Sequence, residues 1–316
     1  MEDTLIAGAG PIGLACAVSA KRHGVDPLVF DAGPVVNSIV RYPIGMTFFT
    51  TPEKMEIGGH PLTCAGQKAT REEALKYYRG VARNEGLRVR PSVRLASAQR
   101  RDDAIQCVLA TRTGDERITA RRLVLATGYF DHPNLLGVPG EDLPHVSHYF
   151  DEPHRGFGLD VVVIGGRNSA AEAALELFRA GARVTLVYRG TELPSSIKYW
   201  VRPDIENRIK AGEIAARFDA QVERITNDAV VIKHGRRDET LPAQRVYALT
   251  GYHPDFDLFK GMGIALDPKT LRATLDPNTR ETNVPGIYMV GSISAGRAIS
   301  EIFIENGRFD GEKIFA

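Results

Sequence analysis

Thr4-Leu5-Ile6-Ala7-Gly8-Ala9-Gly10-Pro11-Ile12-Gly13 opens the chain, and the reading of this stretch decides the fold. A short apolar run reads as a buried strand and is followed by glycine at all three places of G-x-G-x-x-G. A helical run from Leu14 to His23 then ends at Gly24, and Pro27-Leu28-Val29-Phe30 is a second strand that stops at Asp31-Ala32. Gly8 permits the tight turn, Gly10 lets backbone approach a pyrophosphate, and Gly13 lets the helix pack closely on the strand. Pro11 suits the first helical turn, where its missing N–H costs nothing. The helix N-terminus, which begins at Pro11 with Ile12 as its first N–H donor, offers free N–H groups and a partial positive charge that favour an anion. Asp31 stands at roughly the 20-residue distance where an acid accepts hydrogen bonds from a ribose 2′-OH. Strand, turn, helix, strand and acid together describe the βαβ unit of a dinucleotide-binding fold.

The same grammar recurs at Asp160-Val161-Val162-Val163-Ile164-Gly165-Gly166-Arg167-Asn168-Ser169-Ala170. A helix from Ala171 to Arg179 follows, with a break at Gly181 and a strand Val184-Thr185-Leu186-Val187. Continuous valine and isoleucine runs fit parallel strands buried on both faces. Two departures from the first unit carry chemistry. Arg167 takes the middle glycine's place and sets a cation beside the expected pyrophosphate. Tyr188-Arg189 follows the second strand where an acid would otherwise stand. An acid there repels a 2′-phosphate, an arginine accommodates it and an aromatic ring can stack on adenine. Lys198 lies near enough in sequence to assist, so this site is expected to prefer NADPH to NADH. Two dinucleotide sites in one chain point to a flavoprotein in which NADPH reduces FAD.

Composition bounds the remaining possibilities. The 316 residues suit about two domains. A net charge of +1 gives no electrostatic reason to bind nucleic acid or an anionic membrane. Hydrophobic residues at 43% and charged residues at 25% are ordinary globular values, which argues against disorder. Three scattered cysteines, Cys16, Cys64 and Cys107, form neither a disulfide framework nor a metal site. The acidic start and the absence of a long apolar run exclude a secretory signal and a membrane span, so a cytoplasmic location is expected. Further strands are expected at Arg122–Leu125, leading into Ala126-Thr127-Gly128, at Gln244–Gly251, and at Gly286–Gly291. The proline-rich passage Tyr129–Gly158 reads as a crossover, and a final helix is expected from Ala298 through Ile302–Asn306.

These features together resemble the two-domain flavoproteins of the thioredoxin-reductase type over nearly the whole chain. The resemblance implies an α/β fold of two Rossmann-like domains, with an NADPH domain (141–245) inserted into an FAD domain (1–140 and 246–316). True thioredoxin reductases carry C-x-x-C just before the second fingerprint. Here that stretch is Val146-Ser147-His148-Tyr149-Phe150-Asp151-Glu152, without a cysteine. Several runs are instead similar to the bacillithiol disulfide reductase group: Arg41-Tyr42-Pro43, Thr47-Phe48-Phe49-Thr50, His148-Tyr149-Phe150, Gly165–Ala170, Tyr188-Arg189-Gly190, Ser195-Ser196-Ile197-Lys198, Gly251–Asp255 and Ile302–Gly307.

The resemblance implies FAD contacts at Thr47, Phe48, Ala126, Thr127, Gly128, Gly291 and Ser292, besides the first fingerprint. The group commonly has a cysteine after the fingerprint proline, implicated in disulfide reduction; here Ile12 occupies the position. Cys16, one helical turn on, reads as a buried apolar residue, with a displaced nucleophile as the sharper alternative. Cys107 reads as strand core and Cys64 as a loop residue. His148 and Tyr149 are candidate proton donors.

The expected reaction passes hydride from NADPH to FAD and then electrons to a small-molecule disulfide such as bacillithiol disulfide. The first alternative is a cysteine-independent NADPH oxidase or a ferredoxin or quinone reductase; the second is a non-enzymatic flavin redox sensor. A homo-oligomer is expected.

Overall fold

The computed structural model describes residues 1–235 and 237–316. The chain forms two compact units, Met1–His132 with Tyr252–Ala316, and Pro133–Gly251 between them in sequence.

In the first unit, β1 (Glu2–Ala7) leads through the fingerprint into α1 (Pro11–Arg22), and β2 (Leu28–Asp31) follows. Two single-turn helices, α2 (Asn37–Val40) and α3 (Pro52–Met55), precede α4 (Arg71–Asn84). The start of α4 is fixed by a capping box: the Thr70 hydroxyl accepts from the Glu73 N–H, and the Glu73 carboxylate accepts from the Thr70 N–H. Strands β3 (Arg88–Pro91), β4 (Arg94–Arg101), β5 (Ala104–Thr111) and β6 (Gly114–Leu125) complete this stretch. The sheet order is β3-β2-β1-β6-β5-β4. β1 runs parallel to β2 and to the end of β6, whereas β4, β5 and the start of β6 form an antiparallel meander. The unbroken apolar character of β1 has a direct consequence: Leu5 and Ile6 point to opposite faces and both are fully buried. Ile6 joins the core under α1 and α4; Leu5 joins a second core with Ile105, Cys107 and Leu109 of the meander.

The second unit has β7 (Val146–Ser147), β8 (Asp160–Ile164), α5 (Asn168–Arg179), β9 (Arg183–Val187), α6 (Arg202–Lys210), β10 (Ala215–Arg217) and the antiparallel β11 (Ala220–Ile225), β12 (Ala229–His234) and β13 (Arg237–Pro242). β14 (Arg245–Ala248) then enters the parallel sheet, whose order is β10-β9-β8-β14-β7. Alternate residues of β8 again feed two cores. Val161 and Val163 face α5 and α6, and Val162 and Ile164 face the three-stranded sheet. The passage after Tyr129 is irregular apart from β7 and a 3-10 turn at Pro153–Gly156. Residues from Pro133 onward belong to the second unit because Leu136, Val138 and Leu143 pack on the Val162 core and the Pro139 carbonyl accepts from the Ile225 N–H at 2.9 Å.

The chain returns to the first unit with α7 (Phe256–Gly261) and β15 (Ile287–Met289), which pairs in parallel with β6. The final segment departs from the single helix expected from Ala298. It is broken into a 3-10 turn (Ile299–Glu301), α8 (Ile304–Gly307) and α9 (Asp310–Phe315). Both short helices pack closely on α1: Gly307 and Gly311 each lie too near it for a side chain, at Ile12 and Cys16 respectively.

No helix among the described residues is long and apolar enough to cross a membrane.

Candidate functional site

The first fingerprint glycines do separable jobs. Gly8 has φ +114°, and a Cβ on it would lie 2.2 Å from the Ala126 carbonyl oxygen, so only glycine fits between β1 and the Ala126-Thr127-Gly128 turn. A Cβ on Gly13 would lie 1.9 Å from the Gly8 oxygen, which fixes α1 directly on the turn. A Cβ on Gly10 would meet nothing within 4 Å. Gly10 is the N-cap of α1, with no side chain closing the helix start and no acid in its first turn. The N–H groups of Ile12 and Gly13 therefore have no intrahelical acceptor and face an open approach.

Asp31 is more heavily used than its sequence position implied. One carboxylate oxygen accepts from the Ala9 N–H at 2.7 Å and the other from the Gly33 N–H at 2.8 Å. The carboxylate thus ties the end of β2 to the fingerprint loop. Burial raises its pKa above the ordinary carboxylate value, against the lowering effect of the two N–H donors. Ala32 is exposed beside it. Across the loop, the Thr127 hydroxyl is buried with no hydrogen-bond partner among the described residues, and a Cβ at Gly128 (φ +68°) would meet open space. An orphaned hydroxyl, an open glycine and an uncapped helix start fit the polar groups of a flavin dinucleotide.

The apolar side of this site is aromatic. Phe48 is buried and its N–H donates to the Ala69 carbonyl, while Thr47 is exposed and bridges to Thr70. Tyr42 contacts Phe48 and Phe130 edge-on, and Phe130 packs against Tyr252. Burial pushes the Tyr42 hydroxyl well above its ordinary value.

The Gly291-Ser292 turn is braced by residues that sequence reading missed. The Gly291 N–H donates to Asp310 Oδ2 at 2.8 Å, and Arg280 reaches the same oxygen at 3.4 Å while donating to Ser294 Oγ at 2.8 Å. Ser294 Oγ in turn donates to the Gly291 carbonyl. Asp310 is only 8% exposed. With Glu305, Arg308, Glu312 and Lys313 close by in sequence, Asp310 carries no local signal that sets it apart. The Ile12 side chain fills the space opposite this turn: Cβ atoms on Gly291 and Gly307 would lie 2.7 and 2.6 Å from its Cδ1.

The second fingerprint repeats the arrangement with different chemistry. Gly165 has φ +141°, and a Cβ there would lie 2.5 Å from the Leu249 carbonyl oxygen. Tyr188 is seated on backbone, since Cβ atoms at Gly166 and Gly190 would both collide with its ring. Arg167 caps α5 with an extended backbone and an exposed side chain, and Ser169 is exposed in the first turn, with Ala170 buried behind it. Among the described residues neither Arg167 nor the exposed Arg189 has an ion-pair partner, which suits cations that await an anion. Lys198 differs from that expectation, because its ammonium is taken by Glu172 at 2.8 Å, one turn into α5. Asn168 fixes the neighbouring loop: its side-chain oxygen accepts from the Lys198 N–H at 2.8 Å.

The candidate catalytic residues each have a local structural role, Cys16 in the first unit and His148 and Tyr149 in the second. Cys16 is fully buried, and burial above all, with the nearby Asp310 charge, pushes its thiol far above its ordinary value. This removes the displaced-nucleophile reading, since a nucleophile must ionise and be reached. Cys107 is core and burial pushes it up to about 12. Cys64 is half-buried and its thiol donates to the Gly66 carbonyl. His148 lies 3.4 Å from Glu141 and 3.2 Å from the Ala248 carbonyl, and Glu141 itself accepts from the Leu136 and Gly137 N–H groups. These bonds make His148 a brace of the crossover. Tyr149 is held in a tight turn by the Ser147 hydroxyl. No group of His, Cys, Asp and Glu able to hold a metal occurs among the described residues.

Two glycine turns between parallel strands, one with an uncapped helix start and an orphaned hydroxyl and the other flanked by two exposed arginines, belong to an FAD- and NADPH-dependent oxidoreductase. The chain belongs to the pyridine nucleotide-disulphide oxidoreductase family, whose sequence pattern it matches over residues 5–291. It is 44% identical over 316 residues to the bacilliredoxin reductase Bdr of Bacillus subtilis (strain 168), covering 100% of this chain and 97% of that protein. It is also similar to the structure of the bacillithiol disulfide reductase Bdr (YpdA) from Bacillus cereus, with a TM-score of 0.96 and 43% identity over 99% of this chain and 97% of the other. The corresponding Staphylococcus aureus structure gives 0.93 and 38% over the same shares.

Proposed function

We propose that this enzyme uses NADPH to reduce a low-molecular-weight disulfide of the bacillithiol disulfide type, NADPH + H⁺ + RSSR giving NADP⁺ + 2 RSH. The observation that carries the reading is the pairing of two fingerprint turns with 44% identity to a bacilliredoxin reductase across the full chain. Bound FAD supplies two-electron chemistry between the nicotinamide and the acceptor.

The chain's own residues bind and orient. In the unit formed by Met1–His132 and Tyr252–Ala316, the Gly8–Gly13 turn and the α1 N-terminus receive the FAD pyrophosphate. Asp31 and Ala32 flank the adenosine, Thr127 and Gly128 offer a hydroxyl and open backbone, and Ser292 with the Asp310-braced turn meets the ribityl side. Thr47, Phe48 and the Tyr42 cluster keep water from the ring. In the Pro133–Gly251 unit, Gly165, Gly166 and the Asn168–Ala170 helix start receive the NADPH pyrophosphate, with Arg167 beside it. Arg189 pairs with the 2′-phosphate, Tyr188 forms the adenine wall, and Lys198 stays on Glu172 as a positioning residue.

Three free cysteines and the lack of a disulfide framework suit a reducing cytoplasmic setting. A homo-oligomer belongs to the same reading and is tested by light scattering.

The test is anaerobic reduction of the purified yellow protein by NADPH, then addition of bacillithiol disulfide, ferredoxin, quinone and oxygen in parallel. Fast flavin reoxidation by the disulfide, with two thiols released per NADPH, is the expected result. A protein that purifies without FAD and takes none up, or one reoxidised by every acceptor except the disulfide, overturns the reading.

A further inference from the structure

We infer that this enzyme reduces its disulfide without using any thiol of its own, so that no mixed disulfide between enzyme and substrate forms during turnover. The inference rests on the disulfide reading above and deepens it.

Disulfide exchange through a protein requires an accessible thiolate, activated by a cation or a helix N-terminus, and a second thiol to resolve the product. The chain has three cysteines, and all lie among the described residues. Cys16 has no exposed surface, and a Cβ on Gly311 of α9 would lie 3.3 Å from its Sγ, so the C-terminal helix closes over it. Its charged neighbour Asp310 opposes ionisation. Cys107 lies in the core on the opposite face of the sheet, so the two cannot pair. Cys64 keeps some exposure, but its thiol hydrogen is bound to the Gly66 carbonyl at 3.1 Å. The adjacent Ala65 N–H is engaged by the Glu73 carboxylate at 2.8 Å and so offers no donor to a sulfur.

The place where a helix N-terminus would activate a thiol is the first turn of α1. It presents Ile12, a hydrocarbon wedged between Gly291 and Gly307.

The electron balance closes without an enzyme sulfur. The substrate S–S bond breaks, two S–H bonds form, and both electrons originate in NADPH. Of the two hydrogens gained by the sulfurs, one corresponds to that lost from the nicotinamide and the other is a proton from the medium. No S–S bond to the protein is made or broken.

The experiment follows mass and rate together in the holoenzyme. NADPH-reduced enzyme is mixed with bacillithiol disulfide, quenched with N-ethylmaleimide in acid during turnover, and weighed intact. The expected result is no protein carrying a bacillithiol adduct. The Cys16→Ala, Cys64→Ser, Cys107→Ala triple variant should reoxidise its flavin within twofold of the wild-type rate. Native thiol titration with and without NADPH should give the same count.

A bacillithiol adduct formed and lost at the turnover rate overturns the inference, as does a tenfold or greater loss in a folded, FAD-loaded single cysteine variant. If the triple variant fails to fold, the wild-type mass trap decides alone. Failure of the disulfide reading is distinct: the wild type then consumes no NADPH with the disulfide. The same triple variant assayed with the acceptor that does work then decides whether a thiol takes part.

Discussion

Replacing Gly10 and Gly13 by alanine, one at a time, separates a glycine kept for a ligand from a glycine kept for the fold. At Gly13 the new Cβ would sit 1.9 Å from the Gly8 oxygen and 3.3 Å from Ala126 Cβ. Both partners are short and rigid, so α1 must move off the turn by more than 1 Å, on the order of a forced overpacking of ~1–3 kcal/mol. For a unit of this size each kcal/mol lowers the melting temperature by about 2–4 °C, so the FAD-free Gly13→Ala protein should melt about 2–12 °C below wild type. At Gly10 the backbone has φ −72° and ψ 175°, open to any residue, and the Cβ meets nothing within 4 Å. Gly10→Ala should therefore leave the FAD-free melting temperature within about 1–2 °C of wild type, as an unstrained surface change of ~0.5 kcal/mol would. On the proposed function its methyl would stand where a pyrophosphate approaches the helix start. Loss of one hydrogen bond to a charged group, ~1.5–3 kcal/mol, corresponds to FAD binding weakened roughly 10- to 150-fold. The assays are scanning calorimetry of apoprotein, because bound FAD would itself raise the melting point, and titration of FAD by fluorescence quenching. A Gly10→Ala protein that binds FAD as tightly as wild type, or a Gly13→Ala protein that melts with it, would refute the division of labour.

The other expectations concern single charges. Asp310→Asn strands the Arg280 cation in a buried setting while keeping an acceptor for the Gly291 N–H. A cost of roughly 3–5 kcal/mol for a broken buried pair is expected in denaturant unfolding, with partial recovery on also replacing Arg280 by methionine. Arg189→Glu should raise KM for NADPH about 10- to 100-fold with little change for NADH, measured by steady-state kinetics with both nucleotides; parallel losses would place Arg189 outside the 2′-phosphate site. The hydrogen-bonded Arg217 guanidinium holds the Glu239 carboxyl below its ordinary value. The pair's stabilisation is thus present above about pH 4.3, the unfolded carboxylate value, and lost as pH falls through the lower folded one. Both groups are about one-third exposed, so the contribution is well under ~1 kcal/mol. Melting of Glu239→Gln should trail wild type slightly at pH 7, with the gap narrowing as pH falls below about 4.3, and a gap that widens on acidification would contradict the assignment.

Much of this protein lies openly in its sequence because the governing interactions are local. A strand buried on both faces must be apolar throughout, a sharp turn beneath a helix must lack Cβ atoms, and both constraints fall within about 30 residues. Hence β1, α1 and β2, and again β8, α5 and β9, could be read directly, and so could the burial of Cys107 from its alternating neighbours. The expected helix from Ala298 failed for the complementary reason. That segment is packed closely on Ile12 and Cys16 of α1, nearly 300 residues earlier in the chain, and no local pattern records that.

The same distinction governs the site. By itself the sequence determined two dinucleotide cradles, an arginine where an acid would exclude a 2′-phosphate, and the absence of a C-x-x-C pair. Those are matters of residue type and spacing. Only the tertiary structure decided that Asp31 gives one oxygen to the fingerprint loop and the other to Gly33, that Glu172 captures Lys198, and that Asp310 braces a turn 19 residues away together with Arg280. It also decided the fate of Cys16. Whether a thiol is a nucleophile depends on solvent, neighbouring charge and what packs over it, and here α9 folds back across α1 and seals it in.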